Sequence, residues 1–176
     1  PKSAARLTYY LLHAPKEVSY KLSQAAQELK EKTVLCQACK NIAESNPCDI
    51  CQDMQRDHTI ICVVEEPLDV WAIEKAGIYR GLYHVLHGRI APLENMGPED
   101  IFVKELLPRL KNPSASSGQA AVKEIILATN PDMEGEATAL YIQKLLQPLK
   151  IKITRIAQGI PTGGDLEYAD ETTLKK

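Results

Sequence analysis

Four cysteines carry the most specific chemistry in the chain. Cys36, Cys39, Cys48 and Cys51 follow the pattern Cys-x2-Cys-x8-Cys-x2-Cys, two knuckles that each offer a pair of thiolates to one tetrahedral metal ion. Zinc is the ion expected, and rubredoxin-like iron shares the donor set. A closed four-sulfur site leaves no position for water, so its role is structural: it orders about twenty otherwise loop-like residues. Two disulfides are the alternative, but a chain without secretory features belongs to a reducing compartment, where disulfides are rare. The fifth cysteine, Cys62, lies inside an apolar run and reads as a small core residue. His58 is near the knuckles, but four sulfurs already complete the shell. His58, His13, His84 and His87 are read as structural or surface residues.

Carboxylates form the second group. Ile125 to Ala128 is a short β-branched run followed by Asp132, Glu134 and Glu136, and Thr59 to Val64 is another followed by Glu65 and Glu66. Each run is then followed by a helical pattern, so both units read as strand, loop and helix with acids at the strand's carboxyl end. Ligands bind at that edge of a parallel sheet, and Glu65 beside Asp132 and Glu134 has the chemistry to hold Mg²⁺. Acids that simply offset the dipole of a helix start are the competing reading.

The elements that must position these groups follow from hydrophobic period and breakers. Helices are expected over 1–12, with Ala4, Leu7 and Leu11 on one face, and after Pro15, with Val18, Leu22, Ala25 and Leu29 turned inward. Strands at 59–64, 82–86, 124–128 and 151–157 alternate with helices at 69–76, 99–110 and 135–147. The order is that of an α/β fold with a parallel core of about four strands. Asn112 to Ala121, rich in Ser, Ala, Pro and Gly, is a surface loop. Gly163 to Asp170 is acidic and turn-prone, and no Gly-x4-Gly-Lys-Ser/Thr loop accompanies it to hold phosphates.

Composition sets the bounds. The chain has 176 residues, 44% of them hydrophobic, enough for an ordinary core. Its net charge of −2 gives it no overall basic footprint, so any nucleic-acid binding must be local or assembled by oligomerisation. No apolar run approaches the roughly 20 residues that span a bilayer, and the chain is expected to be cytoplasmic with no membrane partner. It starts at Pro1 and ends at Lys176 in an uncapped helical-looking run, as a chain trimmed at both ends would.

Several segments taken together resemble a known family. Val64-Glu65-Glu66-Pro67-Leu68-Asp69-Val70 with Thr129-Asn130-Pro131-Asp132-Met133-Glu134-Gly135-Glu136-Ala137 is similar to the Toprim domain of primases and type IA topoisomerases. Gly81-Leu82-Tyr83-His84-Val85-Leu86, Gly97-Pro98-Glu99-Asp100 and the run from Gly159 to Asp170 narrow this to a resemblance to the RecR family of bacterial recombination mediators. The resemblance implies four parts: a partial helix-hairpin-helix segment at 1–33, a four-cysteine zinc finger at 34–57, a Toprim domain at 58–160, and a Walker B-like segment and tail at 161–176. It therefore implies an α/β fold, a Toprim-type parallel sheet core flanked by helices.

It also implies partners. Proteins of this kind bind DNA as dimers or tetrameric rings and act with RecO-type and RecF-type repair proteins to promote RecA loading on single-stranded DNA. On this resemblance Lys2 and Arg6 belong to a DNA-contacting hairpin whose preceding Gly-x-Gly turn is missing here. Glu65, Asn130, Asp132 and Glu134 form a partner-docking surface, or hold a weak Mg²⁺ site at best, and the setting is the bacterial nucleoid. The chain departs from the catalytic Toprim pattern at two positions. Asn130 stands where the first aspartate would be, and Met133 where topoisomerases have an arginine, leaving no phosphate-contacting cation. The expectation is a binding protein without enzymatic activity; a Mg²⁺-dependent Toprim phosphoryl-transfer enzyme is the alternative.

Overall fold

The structure, a computed structural model, describes residues 2–111, 121–157 and 159. Pro1, most of the 112–121 stretch, the acidic 163–170 segment and the C-terminal run lie outside the described residues.

Two helices lead the chain: α1 (Lys2–His13) and α2 (Lys16–Lys32). Pro15, which has no N–H to give, separates them. The inward face expected for α2 is corrected here. No residue of either helix is buried, and Leu22 and Leu29 are 53% and 64% exposed. The periodicity is real, but an apolar stripe buries only against a facing surface. The sheet's own faces are filled by other helices.

The knuckles come next. β1 (Val34–Leu35) pairs antiparallel with β2 (Ile42–Ala43), and α3 (Asp49–Gln52) carries the last cysteine.

The core is a four-stranded sheet in the order β4-β3-β5-β6, with every neighbouring pair parallel. Its strands are β3 (Asp57–Val64), β4 (Gly81–Val85), β5 (Glu124–Ala128) and β6 (Lys152–Arg155). The central strands are apolar on both sides because both faces are covered. On one face Ile61, Val63, Ile125 and Leu127 pack with Ala139, Ile142 and Leu146 of α6 (Met133–Leu146) and Leu106 of α5 (Leu106–Lys111). On the other, Cys62, Val64 and Ala128 pack with Val70 and Ile73 of α4 (Pro67–Ala76). Each fully buried Ile, Leu or Val contributes roughly 1.5–3 kcal/mol relative to an exposed one, so this two-sided core fixes the register of the strands. Because β4 and β5 lie on opposite sides of β3, the chain leaves the ends of β3 and β5 in different directions. A crevice opens between them.

The helix expected over 99–110 begins only at Leu106. Its first half is turn, because tertiary contacts take its backbone groups. The Phe102 N–H donates to the Leu86 carbonyl at 2.9 Å, and the Phe102 carbonyl accepts from His84 Nε2 at 2.7 Å.

Candidate metal centre and acidic strand edge

The local fold of residues 36–51 brings the four cysteines together. The Lys40 backbone, at φ +62°, turns the first knuckle so that its N–H meets the Cys36 carbonyl at 2.9 Å, and the Asn46 side chain accepts from Gln37 N at 2.9 Å. All five cysteines are free, and Cys36, Cys39, Cys48 and Cys51 are buried with their Sγ atoms within 4.8 Å of one another. The Cys36–Cys51 separation is 4.0 Å and the Cys39–Cys48 separation 3.5 Å. A tetrahedron with metal–sulfur bonds of about 2.3 Å has edges of about 3.8 Å, so the cluster fits one metal ion such as zinc. Asn41 N and Cys48 N point at Cys39 Sγ and Cys36 Sγ, the outer hydrogen bonds that stabilise thiolates. Hydrogen bonding between the two sulfurs pushes the Cys39 thiol up and draws the Cys48 thiol down.

The knuckles are docked onto the sheet. The Cys39 carbonyl accepts from Val85 N at 2.8 Å, and the Lys40 carbonyl from His87 Nε2 at 2.5 Å. Lys40 Nζ lies 5.4 Å from the centre of the Phe102 ring, and Ile50 packs against the cysteines and both faces of the sheet. Just past the last knuckle, Arg56 pairs with Glu74, whose other hydrogen-bond donor is the Tyr83 hydroxyl at 2.6 Å. His58 Nε2 faces the Asp53 carbonyl and makes no contact with the sulfurs. The finger therefore braces the carboxyl end of β4.

At the crevice between β3 and β5 the structure brings Glu65 to the loop that holds Asn130 and Asp132. Glu65 is only 3% exposed, and Asn130 holds both its oxygens: the backbone N–H donates to Oε1 at 2.9 Å and Nδ2 to Oε2 at 2.7 Å. Burial, above all, pushes the Glu65 carboxyl up, and the two Asn130 hydrogen bonds oppose that. Asp132 is the N-cap of α6, with Oδ1 accepting from Gly135 N at 2.7 Å. Glu66 and Asp69 cap α4 in the same spirit, each side chain meeting the other's backbone N–H. Glu134 begins α6 half-exposed, and Glu136 pairs with Arg155. Glu65, Asp132 and Glu134 do not converge as the cysteines do. Among the described residues the four thiols are the one group of three or more such ligands that gathers to within 4.8 Å.

Two residues of this site escape a reading of the sequence. Gly135 permits a close approach: a Cβ there would stand 2.1 Å from the Asn130 carbonyl oxygen and 2.8 Å from Glu65 Oε1. Its place in the acidic motif gives only a faint signal. Arg89 is the other. Its Nη1 lies 2.9 Å from Asp132 Oδ2. Met133, at the position that lacks an arginine, is 86% exposed, and the positive charge arrives from a different loop.

Lys2 and Arg6 sit at the start of α1, exposed and far along the chain from the acids. Arg6 lines a shallow groove of about 390 Å³ with Ser3, Leu7 and Tyr10. Among the described residues no helix is long and apolar enough to cross a membrane.

Comparison with known proteins places the chain. The Toprim domain family matches residues 59–157, and the RecR C-terminal family matches 159–176. The chain is 50% identical over 174 residues to the recombination protein RecR of Heliobacterium modesticaldum, covering 99% of this chain and 84% of that one. It is 51% identical over 176 residues to that of Desulforudis audaxviator (100% and 85%). With that of Roseiflexus castenholzii it shares 53% over 174 residues (99% and 82%).

Proposed function

The chain belongs to the RecR family of recombination proteins, and on that premise we propose that it is a non-enzymatic mediator of recombinational DNA repair. It binds DNA as an oligomeric ring and acts with RecO-type and RecF-type partners to promote RecA loading on single-stranded DNA in the bacterial cytoplasm. The observation that carries the non-enzymatic reading is the closure of Glu65. A general acid or base must reach the proton it moves, and here both carboxylate oxygens face inward to Asn130. Mg²⁺ at Glu65, Asp132 and Glu134 is accordingly weak at best.

Zinc is the ion assigned to Cys36, Cys39, Cys48 and Cys51, with a structural role. Oligomerisation is supported by α1 and α2, which leave Leu7, Tyr9, Leu12, Tyr20, Leu22 and Leu29 uncovered in a single protomer. A ring also reconciles a near-neutral chain with DNA binding, because small basic patches such as Lys2 and Arg6 act together around an opening. The acidic edge of Glu65, Asn130, Asp132 and Glu134 faces the RecO-type partner.

The test is co-elution of the chain with a RecO-type protein on single-stranded DNA. Lys2→Ala with Arg6→Ala is expected to weaken DNA binding and flatten its salt dependence by roughly one unit of slope per lost phosphate contact. Failure to capture the partner, together with Mg²⁺-dependent DNA cleavage abolished by Glu65→Gln, would instead establish a Toprim phosphoryl-transfer enzyme.

A further inference from the structure

The Toprim resemblance implies a divalent cation at the acidic strand edge, and the residues present do not fit one. Mg²⁺ requires oxygen ligands arranged octahedrally at about 2.0–2.1 Å, several of them from carboxylates free to turn toward it. Glu65 has both oxygens bound by Asn130. Asp132 has Oδ1 on the Gly135 amide and Oδ2 on Arg89. Glu134 does not join them within ligand range.

The negative charge at this edge is nevertheless met. Arg89 leaves the sheet just after β4, and the backbone on each side of it is fixed. The Gly88 N–H donates to the Glu65 carbonyl at 3.1 Å, and the Ile90 N–H donates to Thr138 Oγ1 on α6 at 2.8 Å. Gly88 holds φ +144°, a conformation that side chains rarely adopt, and this turn aims the next residue back across the crevice. The guanidinium therefore reaches Asp132 from a loop anchored to both elements that carry the acids.

We propose that Arg89 is the resident cation of this edge, a tethered guanidinium that neutralises Asp132 and keeps divalent metal out. A fixed positive charge at 2.9 Å from Asp132 Oδ2 both occupies that ligand and repels a second cation approaching the crevice. The edge of this chain is then a metal-independent surface, whichever partner docks on it. The pair is about one-third exposed, so its removal leaves the fold standing while changing the charge of the crevice.

Mn²⁺ as a spectroscopic stand-in for Mg²⁺ tests this, with electron paramagnetic resonance counting bound metal and calorimetry repeating the titration with MgCl₂. Wild type, Arg89→Lys and Arg89→Gln are compared in the full chain, with unfolding temperature and zinc content checked first. Arg89→Gln frees one Asp132 oxygen and removes the repelling charge, so its weak Mn²⁺ binding is expected to be tighter than that of wild type and Arg89→Lys by on the order of tenfold. Adding Asp132→Asn to Arg89→Gln should abolish it. Equal binding by wild type and Arg89→Gln would overturn the proposal, and so would no binding by either.

Discussion

Glu65 and Asn130, brought together across the β3–β5 crevice, meet through two hydrogen bonds in which Asn130 is the donor both times. An aspartate at 130 would keep the backbone bond but place a second carboxylate where Nδ2 now lies, 2.7 Å from Glu65 Oε2. Like charges so close cannot both ionise, so the native state would take up a proton. Asn130→Asp is expected to destabilise the protein by about 1–3 kcal/mol at neutral pH and by less as pH falls, as urea unfolding at several pH values would show.

His84 gives the wild-type protein its own pH dependence. Buried completely, it faces the Phe102 carbonyl with Nε2 and the Arg109 guanidinium with Nδ1 at 3.4 Å, so the ring is neutral with its proton on Nε2. Burial, then the charge of Arg109, pulls it from 6.5 down to about 3. The unfolded chain therefore binds this proton first. The stability His84 supports is complete above about pH 6.5 and drains away as pH falls toward 3, by about 2 kcal/mol at about pH 5. In His84→Gln that part of the wild-type slope should vanish.

Gly135 lies where α6 begins, under the Asn130 carbonyl. The methyl of Gly135→Ala would meet backbone at 2.1 Å, so the loop must move and the grip of Asn130 on Glu65 must loosen. A loss of at least about 2 kcal/mol is expected by thermal or urea unfolding, large for a glycine whose own φ is ordinary.

Metal removal should be felt in the sheet. Chelation is expected to release four thiols to an alkylating reagent, with Cys62 protected until global unfolding, because burial pushes it up to about 12. The Val85 amide, which donates to the Cys39 carbonyl, should lose hydrogen-exchange protection at the same time. Retention of that protection after chelation would show that the finger does not brace β4.

The uncovered stripe of α2 predicts a change in assembly without a change in fold. Leu22→Asp with Leu29→Asp should leave the unfolding free energy within about 0.5 kcal/mol, since neither side chain is buried. Sedimentation velocity is expected to show a smaller species than the unsubstituted chain gives, as the proposed ring requires.

Much of the fold is legible in the chain for a local reason. The cysteine knuckles are set by spacings of two and eight residues, and local turns within 36–51 bring their sulfurs together. Ile60 to Val64 and Ile125 to Ala128 are β-branched or apolar without a break, so strands covered on both faces are the natural reading. The caps at Glu66 and Asp132 likewise lie in the sequence beside the helices they start. The helix expected from residue 99 fails because Phe102 gives its backbone groups to Leu86 and His84, partners that no window around 99–110 contains.

The sequence alone determined the four-cysteine cluster, the strand–helix alternation and the acids at two strand ends, since each depends on neighbours a few residues away. Only the tertiary structure decided what those acids do. Whether a carboxylate meets a metal ion, an amide or a guanidinium depends on which loops cross at the switch between β3 and β5. Asn130 lies 65 residues from Glu65 and Arg89 lies 43 from Asp132, so their pairing is written in the packing of the sheet and not in any stretch of chain.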